Sequence, residues 1–268
     1  MMKPLRFRAP AAVRTAEPGR RSGYSGRMGL ALLAAVALLP VATTRAAEFT
    51  AAQRAEIVQI LRDSLKQDPS ILRDAVVALQ AEEGEHQAAA SRAAIAAHHD
   101  TLTTAADPVA GNPVGDVTVI EFFDTRCPYC RKFDPIMASL LAQDHGVRLV
   151  YKDMPILGPA SLLSAKALLA AKRQGAYEPL REAVMQAPPD ATKESLRALA
   201  EKLKLDWPRL ERDMDDPAIA AQLQANVSLA RDLGVQGTPA LVVGQTLVPG
   251  AIDLPELKAA VADARRTH

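Results

Sequence analysis

Two cysteines constrain this chain more than any other feature. They are the only two among 268 residues, Cys127 and Cys130, with Pro128 and Tyr129 between them. Ahead of them Val117 to Phe123 is a dense run of β-branched and aromatic residues, the pattern of a buried strand. Behind them Phe133, Ile136, Met137, Leu140 and Leu141 fall on one helical stripe. Two thiols cannot make a disulfide framework or close a zinc site by themselves, so their chemistry involves each other or a partner. Set between a strand and a helix, both sulfurs lie at the helix N-terminus, where unpaired N–H groups and the macrodipole favour negative charge. The first thiol is thereby acidified. Pro128 suits the first helical position, because its missing N–H has no acceptor there anyway. Cys127 is the expected exposed nucleophile. Cys130, one turn inside the helix, is the expected resolving thiol that closes the disulfide or releases a mixed-disulfide intermediate. Arg126, Arg131 and Lys132 add positive charge nearby, worth about a few tenths of a kcal/mol each on exposed side chains.

The rest reads as globular material, 49% hydrophobic and 24% charged, which excludes a disordered or collagen-like chain. Val147 to Tyr151 predicts a second strand and Ala160 to Ala171 a second helix, giving β-α-β-α with the first pair. Residues 176–232 hold no strand-like run, only helical segments punctuated by Pro179, Pro188, Pro189, Pro208 and Pro217, and are read as an all-helical insertion. A Gly-rich turn, Leu233 to Pro239, leads to a strand at Ala240 to Val243. Gly244-Gln245 makes a two-residue hairpin turn to Thr246–Val248, and a last helix fills Leu254 to Ala264.

At the other end, basic residues from Lys3 to Arg27 precede an apolar run, Met28 to Val41, that is too short to span a bilayer as a helix and is broken at Pro40. Thr44 and Ala46 stand at the third and first places before an Ala46/Ala47 cut. Residues 1–46 are therefore read as a cleaved signal peptide, which puts the mature chain in an oxidising space, most simply a bacterial periplasm. Arg20-Arg21 leaves a twin-arginine route open beside the general one. Thr50-Ala-Ala-Gln53 has capping-box spacing and predicts a helix from Ala51, with Ile57, Ile60, Leu61 and Leu65 on its stripe. Asp68-Pro69 reads as a second N-cap followed by Pro at the first helical position, before the stripe Ile71, Leu72, Ala75, Val76 and Leu79. Two short helices cannot bury both stripes alone, so residues 47–80 pack on the main domain or on another copy of the chain. Residues 81–107 are Ala-rich and polar and are read as a solvated helical linker, with His86, His98 and His99 as exposed linker histidines rather than metal ligands.

Two further positions draw notice. Glu121 lies inside Val119-Ile-Glu-Phe-Phe123, where an ionised carboxylate costs several kcal/mol unless paired or hydrated. Either it takes or relays the proton that Cys130 must lose, with a pKa raised by burial, or it makes a salt bridge, for instance to Lys152 on the neighbouring strand. Thr238-Pro239 stands at the start of a strand. By local sequence its peptide is trans by default; a cis bond would turn the Thr238 backbone outward like an unpaired sheet edge, beside which an extended peptide docks near Cys127.

Glu121-Phe-Phe-Asp124, Cys127-Pro-Tyr-Cys130 and Gly234-Val-Gln-Gly-Thr-Pro239, in that order, resemble the DsbA family of thioredoxin-fold thiol:disulfide interchange proteins over about residues 108 to 266. The N-terminal pattern from Phe49-Thr50 to Leu79 resembles the suppressor-of-copper-sensitivity ScsC branch, in which such a segment can drive oligomerisation. The resemblance implies an α/β chain: a thioredoxin-like fold over residues 108–268, carrying an all-helical insertion at about 159–232 and preceded by a small helical oligomerisation segment at 47–80. It also implies that Cys127 is the nucleophile, Cys130 the resolving cysteine, Glu121 a buried acid and Pro239 a cis-proline. Pro128, Tyr129, Thr238 and Pro239 are the residues expected to touch substrate. The dipeptide is Pro-Tyr rather than the Pro-His of the best-known oxidase, so no imidazole adjoins Cys127, and Thr125 stands where an aromatic residue is common.

The expected activity is disulfide exchange with exported cysteine-containing proteins, as oxidase or as isomerase. It needs no cofactor beyond the cysteine pair, and a membrane redox partner resets that pair. A homo-oligomer built through residues 47–80 would favour isomerisation and a monomer oxidation. The alternative is a Cu(I)-binding role for the reduced pair, since two soft thiolates suffice for linear copper. No other metal site is expected. Nucleic acid is an unfavoured partner, because 32 basic against 31 acidic residues leave a net charge of only +1.

Overall fold

A computed structural model describes residues 49–267. The expected signal peptide, residues 1–46, lies outside the described residues. Helix α1, Ala51–Gln67, opens on the capping box: the Thr50 N–H donates to Gln53 Oε1 at 2.9 Å, and the Gln53 N–H donates to Thr50 Oγ1 at 3.3 Å. It buries none of its residues. Helix α2, Ser70–Ala97, follows a turn in which the Asp68 carboxylate accepts from the Ser70 N–H at 3.0 Å.

α2 corrects the linker reading. It runs unbroken for 28 residues through the Ala-rich stretch, and its C-terminal half lies along the sheet with Ser91 and Ile95 buried. Small Ala side chains let the backbone approach closely, and the one larger apolar group of this stretch, Ile95, faces inward. Leu102, on the single turn α3 (His99–Leu102), and Asp107 are buried too.

Strand β1, Val109–Gly111, was concealed by its turn-like flanks, Pro108 and Pro113, and is only three residues long. Strand β2, Val117–Phe123, passes through the cysteine loop into α4, Pro128–Gln143, and back along β3, Val147–Asp153. Five helices then fill the insertion: α5 (Pro159–Lys172), α6 (Tyr177–Gln186), α7 (Lys193–Lys202), α8 (Trp207–Met214) and α9 (Pro217–Asp232). The hairpin of β4 (Ala240–Val243) and β5 (Thr246–Pro249) turns at Gly244, whose φ of 59° favours glycine. Helix α10, Leu254–Arg266, closes the described chain.

The sheet order is β1-β3-β2-β4-β5, with β2 and β3 parallel and every other pair antiparallel. Side chains alternate across it and split the core in two. Val119, Phe123, Leu149, Tyr151 and Leu241 meet α4, α10 and the insertion, while Ile120, Phe122, Val150 and Val242 meet Ile95, Leu102 and the C-terminal part of α9. The cysteine loop therefore stands at the C-terminal end of β2, the central strand, with the insertion beside it.

Candidate functional site

The loop is fixed before the cysteines begin. Asp124 is buried; one carboxylate oxygen accepts from the Arg126 N–H at 2.8 Å, and the other from the N–H groups of Ile156 at 2.9 Å and Leu157 at 3.0 Å. It ties the cysteine loop to the segment after β3. Arg131 is a second tie: Nε donates to the Thr125 carbonyl at 2.7 Å, Nη1 to those of Met185 and Ala187 at 2.8 and 2.6 Å, and Nη2 to that of Val184 at 3.2 Å. Its charge is thus spent on the carbonyl end of α6, not left free beside the thiols. Arg126 likewise pairs with Asp190 at 2.6 Å and bonds the Leu157 carbonyl.

Cys127 occupies the N-cap of α4, with Pro128 at the first helical position. Both cysteines are free thiols. The Cys127 thiol donates to the Thr238 carbonyl oxygen at 3.1 Å, and the Thr238–Pro239 peptide is cis. The open nucleophile expected from the sequence needs correction: Cys127 is only 5% exposed, because its sulfur turns into the Thr238 carbonyl rather than outward. Cys130 is fully buried, and desolvation pushes its thiol far above the ordinary cysteine range. Pro128 and Tyr129 are exposed, Tyr129 by 63%, whereas Thr238 is half-buried and Pro239 buried. Beside the turn a cleft of about 480 Å³ is walled by Thr238, Pro239 and Leu247 on one side and by Gln87, Ser91 and Arg92 of α2 on the other.

Glu121 is completely buried, and among the described residues neither carboxylate oxygen has a hydrogen-bond partner. Burial raises its pKa from 4.5 to about 7, against the opposing pull of Arg181. The salt bridge to Lys152 does not form. Lys152 pairs with Phe122 in the parallel ladder, not with Glu121, so its side chain emerges on the opposite face of the sheet and meets Asp107 at 2.7 Å.

Arg181 and its partners went unread in the sequence. It lies on α6, buried, with Nη2 2.5 Å from Asp134 of α4, Nη1 3.6 Å from Glu178, and the guanidinium carbon 4.2 Å from the Tyr151 ring centroid. Tyr151 donates to Glu178 at 3.2 Å, and Tyr177 donates to the buried Asp153 at 2.9 Å. The signal was present: Arg181 interrupts the apolar stripe Tyr177, Leu180, Val184, and a cation on a buried stripe needs carboxylates to meet it.

Residues 118–262 match the profile of the DSBA-like thioredoxin domain, more than half of the chain, and residues 53–85 match that of the copper resistance protein ScsC N-terminal domain. The chain belongs to the DSBA-like thioredoxin domain family. It is 42% identical to a thioredoxin-like oxidoreductase from Silicibacter pomeroyi of known structure, covering 62% of this chain and 95% of that one with a TM-score of 0.60. The ScsC of Proteus mirabilis in a transitional conformation is 29% identical, covering 82% and 99% with a TM-score of 0.60. Among curated relatives, Na(+)/H(+) antiporter NhaA 3 of Salinispora tropica is 31% identical over 160 residues, 59% of this chain. Disulfide bond formation protein D of Bacillus subtilis is 25% identical over 166 residues, 56% of this chain and 73% of that protein. The chain spans about a quarter of the length of the antiporter relatives it matches, 24% for the Salinispora tropica protein. In this DsbA-like chain, no helix among the described residues is long and apolar enough to cross a membrane.

Proposed function

We propose that this chain is a periplasmic protein that exchanges disulfides with exported cysteine-containing proteins through Cys127 and Cys130. The observation that carries the reading is the Cys127 sulfur at a helix N-cap, 3.1 Å from the carbonyl of the cis Thr238–Pro239 turn, with Cys130 and the buried Glu121 behind it. A client strand laid along the Thr238 backbone brings its own sulfur to Cys127.

In the oxidising direction a client thiolate attacks Cys127 of the Cys127–Cys130 disulfide. Cys130 leaves as a thiolate and takes a proton from Glu121. A second client thiolate then attacks the client sulfur and expels Cys127 as a thiolate, so the client loses two electrons and the pair gains them. In the other direction reduced Cys127 opens a client disulfide, and the mixed disulfide is resolved by another client thiol or by Cys130, whose proton passes to Glu121. A membrane redox partner restores whichever state is used up. The copper reading draws on the match of residues 53–85 to the copper resistance protein ScsC N-terminal domain.

The test is a trap. Cys130→Ser expressed with its exported clients should accumulate reductant-sensitive adducts through Cys127, and Cys127→Ser should accumulate none; a Cys130→Ser chain without adducts overturns the reading. Refolding of reduced against scrambled ribonuclease then assigns the direction.

A further inference from the structure

The geometry points to Arg181, supplied by the helical insertion, as a positioning residue that governs when Glu121 can take the proton of Cys130. This rests on the exchange reading and on the place it gives Glu121. Glu121 is a fully buried carboxyl with no hydrogen-bond partner among the described residues, so burial raises its pKa and the ions around it set how far.

Those groups come from every element that packs on it. β3 presents Tyr151, which faces Glu121 across the ladder, and β4 presents only the apolar Leu241. α4 brings Asp134 as well as Cys130, and α6 brings Arg181 and Glu178. Burial, then Asp134 and Glu178, push Glu121 toward the protonated form, and among the described residues Arg181 is the cation that opposes them.

Arg181 is held so that it cannot swing away. Its guanidinium stacks on Tyr151 at 4.2 Å and on Phe123 at 5.1 Å, and its two terminal nitrogens reach Asp134 and Glu178. Its Nε is buried without a hydrogen-bond partner among the described residues, and its guanidinium covers Phe123 and Tyr151, which lie on the same face of the sheet as Glu121. Asp134 and Glu178 neutralise the buried guanidinium. Both keep some contact with solvent, whereas Glu121 has none.

The step in question is resolution of the mixed disulfide. The Cys130 thiol gives its proton to ionised Glu121, the sulfur attacks Cys127, the bond between Cys127 and the client sulfur breaks, and the client leaves as a thiolate. Its rate follows the ionised fraction of Glu121 and should rise through about pH 7. Without the cation Glu121 holds its proton longer, and the midpoint moves up by about one to three pH units. Removing the negative charge of Asp134 moves it down.

The probe is oxidised glutathione mixed with the reduced full chain, with acid quenching to follow decay of the Cys127–glutathione disulfide against pH. Arg181→Met should raise the midpoint, Arg181→Lys should keep it near wild type, and Asp134→Asn should lower it. Arg181→Met placed on Glu121→Gln should move nothing. If Glu121→Gln alone retains the wild-type limb, the place given to Glu121 fails. If Glu121→Gln removes the limb while Arg181→Met leaves the midpoint unmoved, the inference about Arg181 alone fails. Should Arg181→Met not fold, Asp134→Asn decides: a midpoint unmoved or raised overturns the inference.

Discussion

Glu121 links the chemistry of the site to the stability of the fold. Its carboxyl titrates near 4.5 when free and at about 7 in the folded chain, so the folded state holds a proton that the unfolded state gives up. The stability this confers is fully present below the unfolded value and is lost as pH rises through the folded one. Glu121→Gln fixes the neutral form. It should leave stability unchanged at pH 4 and raise it at pH 8 by up to about 3 kcal/mol, as read from urea unfolding. Asp153, also raised to about 7 by burial, contributes a parallel slope that the variant keeps. An equal gain at both pH values would mean that the carboxyl titrates alike in the folded and unfolded chain, so that burial does not shift it. That a carboxyl was buried here was legible, because it sits inside the strand pattern Val119-Ile-Glu-Phe-Phe123. Its surroundings were not, since Arg181 lies 60 residues away and which strand face Lys152 takes depends on a register that no single strand declares.

At the scale of elements, Arg131 ties the cysteine helix to the insertion through several bonds at once. Arg131 caps the last carbonyls of α6 while gripping Thr125, the residue that precedes Arg126 and Cys127. Arg131→Ala strips these four bonds from a partly buried cluster and should lower stability by about 2–3 kcal/mol, seen as a smaller urea midpoint with an unchanged slope. Arg131→Lys should recover little of the loss, because an ammonium has no planar fork to span two chain segments. The elements themselves were largely readable: β2, α4, β3 and the β4–β5 hairpin follow from runs of β-branched residues, helical stripes and a Gly-containing turn. What escaped was decided by packing. β1 is too short to carry a pattern, and α2 owes its length to Ala propensity and its docking to Ile95, one side chain in a stretch otherwise read as solvated.

For the whole molecule, the question is where the domain ends and an interaction segment begins. α1 buries nothing, and in the first part of α2 the residues Ile71, Leu72, Val76, Val77 and Leu79 are all exposed. Such apolar area usually marks an interface. Further along, Ile95 and Leu102 are sealed into the core, and the Thr104 N–H and hydroxyl donate to Asp107, the carboxylate that neutralises buried Lys152. The change from exposed to buried side chains falls within α2, between Leu79 and Ser91, and two deletions separate the halves. Removing 47–80 should abolish self-association, measured by light scattering, and leave the thermal midpoint of the remaining domain close to that of the dissociated full chain. Removing 47–106 exposes the core that Ile95 and Leu102 cover, at about 1.5–3 kcal/mol for each side chain. It also loosens the partner of a buried charge, whose outright loss costs about 3–5 kcal/mol. That chain should melt well below the shorter deletion. If the 47–80 deletion keeps the oligomer size of the parent, the exposed residues serve some other contact; if the two deletions melt together, the C-terminal half of α2 is a linker after all.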